Sequence, residues 1–133
     1  MAQQLGYLDT GIFVYALFPK DERHARCRAV LADLQSGEAE GRLDPLVVHE
    51  LSAILLSLHQ FPDRATAARY LRGIVCARGV MVEQRDLLLA ALIRWVERGG
   101  GFVDAWLGIL ALTDGRPVCA PDAADLPDVV NSF

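Results

Sequence analysis

Short apolar runs alternate along the chain with longer segments in which apolar residues recur every three or four positions. The short runs predict strands at residues 5–8, 43–47, 80–82, 117–120 and 128–132. The periodic segments predict helices at residues 12–17, 23–35, 47–59, 64–77, 84–98 and 102–113. A polar loop is predicted between Gly37 and Gly41. Strands that alternate with helices in this way predict a helix-rich, three-layer α/β/α fold around a short parallel sheet.

The size and composition of the chain favour one soluble domain that spans residues 1–133. A chain of 133 residues is long enough to bury a core without metal or disulfide support. The hydrophobic share is 53%, yet no apolar run is long enough to span a bilayer, so no membrane segment is predicted. An apolar excess in so small a domain indicates surface that another chain covers, and we expect an oligomer or an obligate partner.

The cysteines and the charge balance restrict the setting in which the protein works. Cys27, Cys76 and Cys119 lack paired metal spacing, and their apolar neighbours are typical of buried free thiols. Together with the lack of a charged-then-apolar leader, this predicts a reducing cytoplasm. The net charge of −4 provides no overall positive field for nucleic acid. All basic residues except Lys20 are arginines, whose forked side chains suit phosphates.

Four acids interrupt apolar segments without a basic residue beside them: Asp9, Glu50, Asp104 and Asp122. The helical period predicts that Glu50 points inward, and Asp9 and Asp122 directly follow predicted strands. Ligand sites of parallel sheets form at the carboxyl ends of strands. Buried carboxylates are costly unless they are paired or bind a metal ion. Oxygen ligands alone suit Mg²⁺ or Mn²⁺, whereas a zinc site would require histidine or cysteine.

Such a set of carboxylates can activate water and stabilise charge on a phosphodiester oxygen, which is nuclease chemistry. The alternative for Asp9 alone is a helix N-cap that accepts a backbone hydrogen bond. For Asp114, Asp125 and Asp128, the stronger interpretation is turn formation. For Asp104, the small residues Gly108 and Ala111 on the same helix face predict close approach by another backbone.

Four segments contain the four acids in chain order: Tyr7-Leu8-Asp9-Thr10, Val48-His49-Glu50-Leu51, Phe102-Val103-Asp104-Ala105 and Val118-Cys119-Ala120-Pro121-Asp122. Their order and spacing resemble those of the motifs of a PIN domain, and more closely those of the VapC-type toxin ribonucleases. The resemblance implies a parallel α/β sheet, Mg²⁺ or Mn²⁺ as cofactor, and cleavage of single-stranded RNA by an activated water. It also implies a homodimer and inhibition by an antitoxin whose tail enters the acidic pocket.

The resemblance assigns a role to each acid. Asp9, Glu50 and Asp104 would be the principal metal ligands, and Asp122 a fourth ligand or a water-positioning acid. Thr10 would support the site through its hydroxyl group.

Three departures from the family pattern affect the surroundings of these acids. Gly11 and Ala120 stand where the family commonly has polar residues, and Ala124 stands where it often has an acid, with Asp125 following. Lost hydrogen bonds around metal ligands typically cost about 10- to 100-fold in affinity or activity. The departures therefore leave an alternative open, a PIN-like module that binds RNA or a protein and does not cut.

A second alternative comes from Asp9-Thr10-Gly11, which resembles the signature of retroviral-type aspartic proteases. Those enzymes are all-β, whereas the pattern after Gly11 continues as a helix. The RNA substrate stays open at this stage. The arginines at positions 23, 26, 28, 64, 69 and 72 either steer a phosphate backbone or lie on solvated helix faces.

Overall fold

The computed structural model describes residues 1–121, which form three parallel strands and six helices. In chain order these are β1 (Gln3–Tyr7), α1 (Thr10–Tyr15), α2 (His24–Ser36), β2 (Ala39–Arg42), α3 (Pro45–Leu56), α4 (Arg64–Val75), β3 (Val80–Met81), α5 (Arg85–Arg98) and α6 (Phe102–Asp114). The strand order is β1-β2-β3, and both pairings are parallel. The predicted helix-rich, three-layer α/β/α fold is confirmed.

The central strand β2 lies almost entirely within the segment that the sequence predicted to be a loop. Ala39 and Gly41 are buried, and a side chain at position 41 would collide with Leu8, since an added Cβ would lie 2.5 Å from its Cδ2 atom. The strand predicted at residues 43–47 instead contains the start of α3. Asp44 caps that helix by accepting a hydrogen bond from the Leu46 amide at 2.8 Å. The position of β2 therefore depends on its pairing with β1 on one side and β3 on the other.

The two ends of the described chain also differ from the predicted strands. Residues 117–120 form no strand, which corrects that prediction, and the strand predicted at 128–132 lies outside the described residues. β1 is a strand as predicted, but it is not buried. Only Leu5 is half-buried among its five residues, and the Tyr7 side chain is 79% exposed. β1 forms one edge of the sheet within residues 1–121, which explains its exposure.

The core lies between the sheet and the helices and is built from large apolar side chains. The largest fully buried ones include Trp95, Phe13, Leu34, Leu51, Leu55, Leu71 and Leu88. Helix α3 contacts α1, α4 and α6, and α5 packs closely on α6. Trp95 meets the Phe102 ring edge-on at 6.4 Å between centroids, which fixes the start of α6 against α5. The core thus sets the relative positions of α1, α3 and α6.

The cysteines only partly follow the prediction of buried thiols. Cys27 is buried within α2, but Cys76 and Cys119 are exposed. Cys76 is the C-cap residue of α4, beyond the buried stripe of that helix, and this position explains its exposure. None of the helices within residues 1–121 is long and apolar enough to cross a membrane.

Tyr70 links α4 to α1 and gives the fold a testable pH dependence. Its hydroxyl donates a hydrogen bond to the Phe13 carbonyl at 2.7 Å, and burial raises the pKa of Tyr70 to about 12 from its ordinary 10.0. The unfolded chain therefore loses this proton first. We expect the stability contributed by Tyr70 to be complete below pH 10.0 and to be lost as the pH rises through about 12. Urea unfolding across this range measures the effect.

Tyr70→Phe should remove this part of the alkaline loss and cost about 1 kcal/mol near pH 7, since one hydrogen bond is lost. Tyr7→Phe, at an exposed position, is the matched control and should unfold like the wild type at every pH. An unchanged alkaline profile in Tyr70→Phe would contradict the assignment.

Candidate active site

Asp9 occupies the N-cap position of α1 without capping it. Its backbone is extended, with φ −85° and ψ 150°, but its side chain accepts no capping hydrogen bond. Two other aspartates show the usual arrangement. Asp44 accepts a hydrogen bond from the Leu46 amide, and Asp63 accepts one from the Thr66 amide, both at 2.8 Å. A capping role therefore does not explain why an aspartate stands at position 9. Its carboxylate stays available to a ligand.

The three acids of the predicted site that lie within residues 1–121 are exposed. Asp9, Glu50 and Asp104 all face solvent, so the prediction that Glu50 points inward was wrong. Glu50 was predicted to point inward because the buried stripe of its helix was counted from Val47. The stripe that α3 buries is instead Val48, Leu51, Ser52 and Leu55. A shift of one residue rotates a helix face by about 100°, which turns Glu50 outward.

Asp104 lies in the first turn of α6, directly after a glycine-rich connection. A negative charge there is stabilised by the helix dipole. Gly99 and Gly100 have φ of 73° and 76°, a region that favours glycine. A Cβ at Gly100 would lie 3.5 Å from the Asp104 Oδ2 atom. The carboxylate thus lies beside the backbone of the connection.

Arg64 of α4 holds this connection in place. Its Nη2 atom donates a hydrogen bond to the Gly100 carbonyl at 2.9 Å, and its guanidinium lies 5.6 Å from the Trp95 ring centroid. Its Nε atom is buried and has no hydrogen-bond partner within residues 1–121. Arg64 therefore fixes the backbone beside Asp104, and no ion pair of residues 1–121 joins it to the carboxylate.

The face of α6 that bears Gly108 was predicted to contact another backbone, but it contacts a side chain instead. Gly108 is buried, but the group that approaches it is the Arg94 side chain of α5, since an added Cβ would lie 2.5 Å from the Arg94 Nε atom. A guanidinium, and not another backbone, thus crosses α6 one turn after Asp104. No ion pair joins Arg94 to Asp104 in the described part of the chain.

Within residues 1–121, Asp9, Glu50 and Asp104 lie on or beside neighbouring elements but do not form a metal-binding group. Helix α3, which bears Glu50, contacts both α1 and α6. Within residues 1–121, however, no three His, Cys, Asp or Glu side chains form a group that could hold a metal ion. In the same part of the chain, no salt bridge or side-chain hydrogen bond occupies the carboxylates of Asp9, Glu50 and Asp104. Asp122 and Asp125 lie outside the described residues. The oxygen donors suit Mg²⁺ chemically, and the ion itself stays a prediction.

Thr10 and Gly11, which follow Asp9, differ in their surroundings. Thr10 is the first residue of α1 and is buried, and its supporting role stays a prediction. Gly11, which departs from the family pattern, lies close to both Tyr15 and Asp9. A Cβ there would lie 3.2 Å from Tyr15 Cε2 and 3.4 Å from Asp9 Oδ2. The Tyr15 ring and the Asp9 carboxylate therefore both lie close to the Cα atom of Gly11.

A pocket of about 340 Å³ lies beside Asp9, between α1 and α2. Its wall includes Tyr15, Arg23 and Arg26. The Arg23 guanidinium lies 3.5 Å from the Tyr15 ring centroid and is held by both carboxylate oxygens of Asp21 at 2.9 Å. These hydrogen bonds lower the pKa of Asp21 to about 2.

Sequence reasoning named Arg23 and Arg26 only among many arginines and missed the stacked pair. The local signal was Asp21, which also accepts a hydrogen bond from the Arg23 amide at 2.8 Å, a turn typical of aspartate.

Comparison with known proteins supports the resemblance to a PIN domain. The model of the PIN domain family matches residues 6–123. The matched span includes all four candidate acids, Asp9, Glu50, Asp104 and Asp122, and ends before Asp125. A comparison with curated proteins found no match.

Proposed function

Because the chain belongs to the PIN domain family, we propose that it is a metal-dependent endoribonuclease. PIN domains are generally nucleases. The observation that supports the proposal most directly is Asp9. It follows the first strand, occupies a helix N-cap position, and leaves its carboxylate without a capping bond. A carboxylate kept free at the carboxyl end of a strand is suited to bind a ligand.

The proposed cofactor is Mg²⁺ or Mn²⁺. Asp9, Glu50 and Asp104 would hold the ion, and Asp122 would complete the set or orient the attacking water. A bound ion supplies a nucleophilic water at neutral pH and stabilises charge on the phosphodiester. The chain itself contributes exposed carboxylates that no arginine of residues 1–121 neutralises. Arg64 contributes by fixing the connection beside Asp104.

We propose further that this ribonuclease is a VapC-type toxin that acts in the cytoplasm, forms a homodimer and is inhibited by a cognate antitoxin. Apolar surface supports a protein partner. Leu46, Ile93 and Leu112 are exposed by 73%, 54% and 70%, and a protein partner that contacts them would remove this apolar surface from water.

The test of the nuclease proposal is cleavage of a mixed RNA pool by the purified protein. We expect discrete fragments with Mg²⁺ or Mn²⁺ and none with excess EDTA, whereas a matched single-stranded DNA stays intact. Equal fragmentation with and without EDTA would contradict metal dependence and would indicate a contaminating nuclease.

A PIN-like module that binds RNA without cutting is the second candidate. It is favoured by one observation, the lack of a metal-binding group within residues 1–121. Calorimetric titration with Mn²⁺ separates the two: a nuclease should bind the ion, whereas the module should retain RNA without binding it. The aspartic protease alternative is inconsistent with the parallel α/β fold, in which Thr10 and Gly11 begin a helix.

A further inference from the structure

The pocket beside Asp9 contains a flat, fixed surface. The Arg23 guanidinium lies 3.5 Å from the centroid of the Tyr15 ring and is gripped by Asp21 through two hydrogen bonds of 2.9 Å. The Arg23 side chain is still 52% exposed, so part of its surface is open to solvent. Nucleobases stack on aromatic rings and on arginine planes with little dependence on sequence. The Tyr15–Arg23 pair has the groups that such stacking uses, and the two hydrogen bonds from Asp21 fix the position of its guanidinium.

Arg26 adds a free positive charge to the same pocket. It is exposed and forms no ion pair with any residue of the described chain. Arg26 also lies in the first turn of α2. That turn contains no acidic residue, and the helix dipole disfavours a positive charge there. Stability of α2 therefore does not explain its position. An arginine next to a stacking surface is the arrangement that a nucleotide requires, since the base stacks and the phosphate pairs with the guanidinium.

Gly11 connects this surface to the candidate active site. Any larger residue there would place its Cβ atom 3.2 Å from Tyr15 Cε2 and 3.4 Å from Asp9 Oδ2, so the Tyr15 ring would have to shift by a few tenths of an ångström. With glycine, Asp9, Tyr15 and Arg26 line one pocket. A nucleotide bound in it lies directly beside the carboxylate of the proposed cleavage site.

We propose that this pocket binds one unpaired nucleotide of the RNA, with its base on the Tyr15–Arg23 pair and a phosphate at Arg26. The inference rests on the proposed function and adds to it a subsite for the residue next to the scissile bond. An acidic protein segment could pair with Arg26, but it would not need a planar surface, so the observations favour a nucleotide.

The test is equilibrium binding of a short, fluorescent, single-stranded RNA to the full chain in EDTA, where no metal-dependent cleavage occurs. Arg26→Gln should weaken binding about tenfold and reduce the slope of log affinity against log salt by about 0.7. Tyr15→Leu should weaken binding about tenfold through lost stacking, whereas Tyr15→Phe should bind like the wild type. Arg28→Gln is the matched control, because Arg28 is an exposed arginine of α2 that does not line the pocket. It should leave affinity and slope unchanged.

The outcomes separate the subsite from the proposed function. Equal losses in Arg26→Gln and Arg28→Gln would overturn the subsite, since they would indicate unspecific charge attraction. If Arg26→Gln and Tyr15→Leu bind RNA like the wild type while the wild type still cuts RNA, the nuclease proposal stands. The nucleotide subsite is then overturned, and an acidic protein segment becomes the better candidate for the pocket. If the wild type neither binds nor cuts RNA, both proposals fail. Because Arg26 is exposed, its variant tests the subsite even if Tyr15→Leu fails to fold.

Discussion

Asp9→Asn is expected to reduce RNA cleavage by about 100-fold or more without lowering the melting temperature. Metal ions stabilise transition-state charge by several kcal/mol, and each ~1.4 kcal/mol corresponds to a tenfold change in rate. The fold should be unaffected because the Asp9 side chain makes no capping bond in α1. Initial rates with Mn²⁺ and a thermal melt of the same preparation measure the two quantities.

Asp63→Ala is the matched control, at an aspartate that does cap its helix. It accepts hydrogen bonds from the Thr66 amide at 2.8 Å and from the Thr66 hydroxyl at 2.7 Å. We expect this variant to melt a few degrees below the wild type and to cut RNA at the same rate per folded molecule. The assignment of Asp9 would fail if Asp9→Asn kept its activity, or if it lost activity only in proportion to a lower melting temperature.

Gly79→Ala is expected to destabilise the protein by more than about 4 kcal/mol, enough to leave much of it unfolded. An added Cβ would lie 1.9 Å from the Ala39 carbonyl oxygen, which is backbone and cannot rotate away. Hydrogen bonds hold Gly79 in place on both sides, since its amide donates to Leu34 at 2.7 Å and its carbonyl accepts from Gly41 at 2.9 Å. The clash can be relieved only by separating β2 from the turn before β3.

Gly73→Ala tests the same substitution where space is available. Gly73 is exposed within α4, and nothing lies within 4 Å of an added Cβ. Alanine should stabilise the protein by about 0.5–1 kcal/mol, because glycine loses more backbone freedom in a helix. Urea unfolding of both variants provides the comparison. A Gly79→Ala protein within about 1 kcal/mol of the wild type would show that the close approach to Ala39 is wrong.

The sequence predicted the six helices to within three residues at each end, because apolar residues recur at the helical period in each of them. Helix α6 was predicted at 102–113 and spans Phe102–Asp114, and α5 was predicted one residue too long. β2 was missed because its sequence is polar and small, and its stability comes from two neighbouring strands. The direction of Glu50 was missed because Val47 and Val48 are both apolar, so periodicity alone did not decide which of them faces the core.

The candidate site was predictable in its residue types and less so in its geometry. The position of Asp9 between a strand and a helix followed from the local pattern. The missing capping bond depends on side-chain rotation, which no sequence pattern records. The contact between Tyr15 and Arg23 joins the end of one helix to the start of the next, and helical periodicity does not extend across such a turn.

The parallel sheet has a consequence for the order in which the protein folds. Gln3 pairs with Ala39 and Gly41 with Val80, so each pairing closes a long crossover, and neither can begin as a hairpin. Closing such loops costs chain entropy before any contact repays it. Helices α5 and α6 are joined by only three glycines and can pair early. We therefore expect β1, and Asp9 with it, to dock after α5 and α6 have paired, so that the candidate site is incomplete in a partly folded chain.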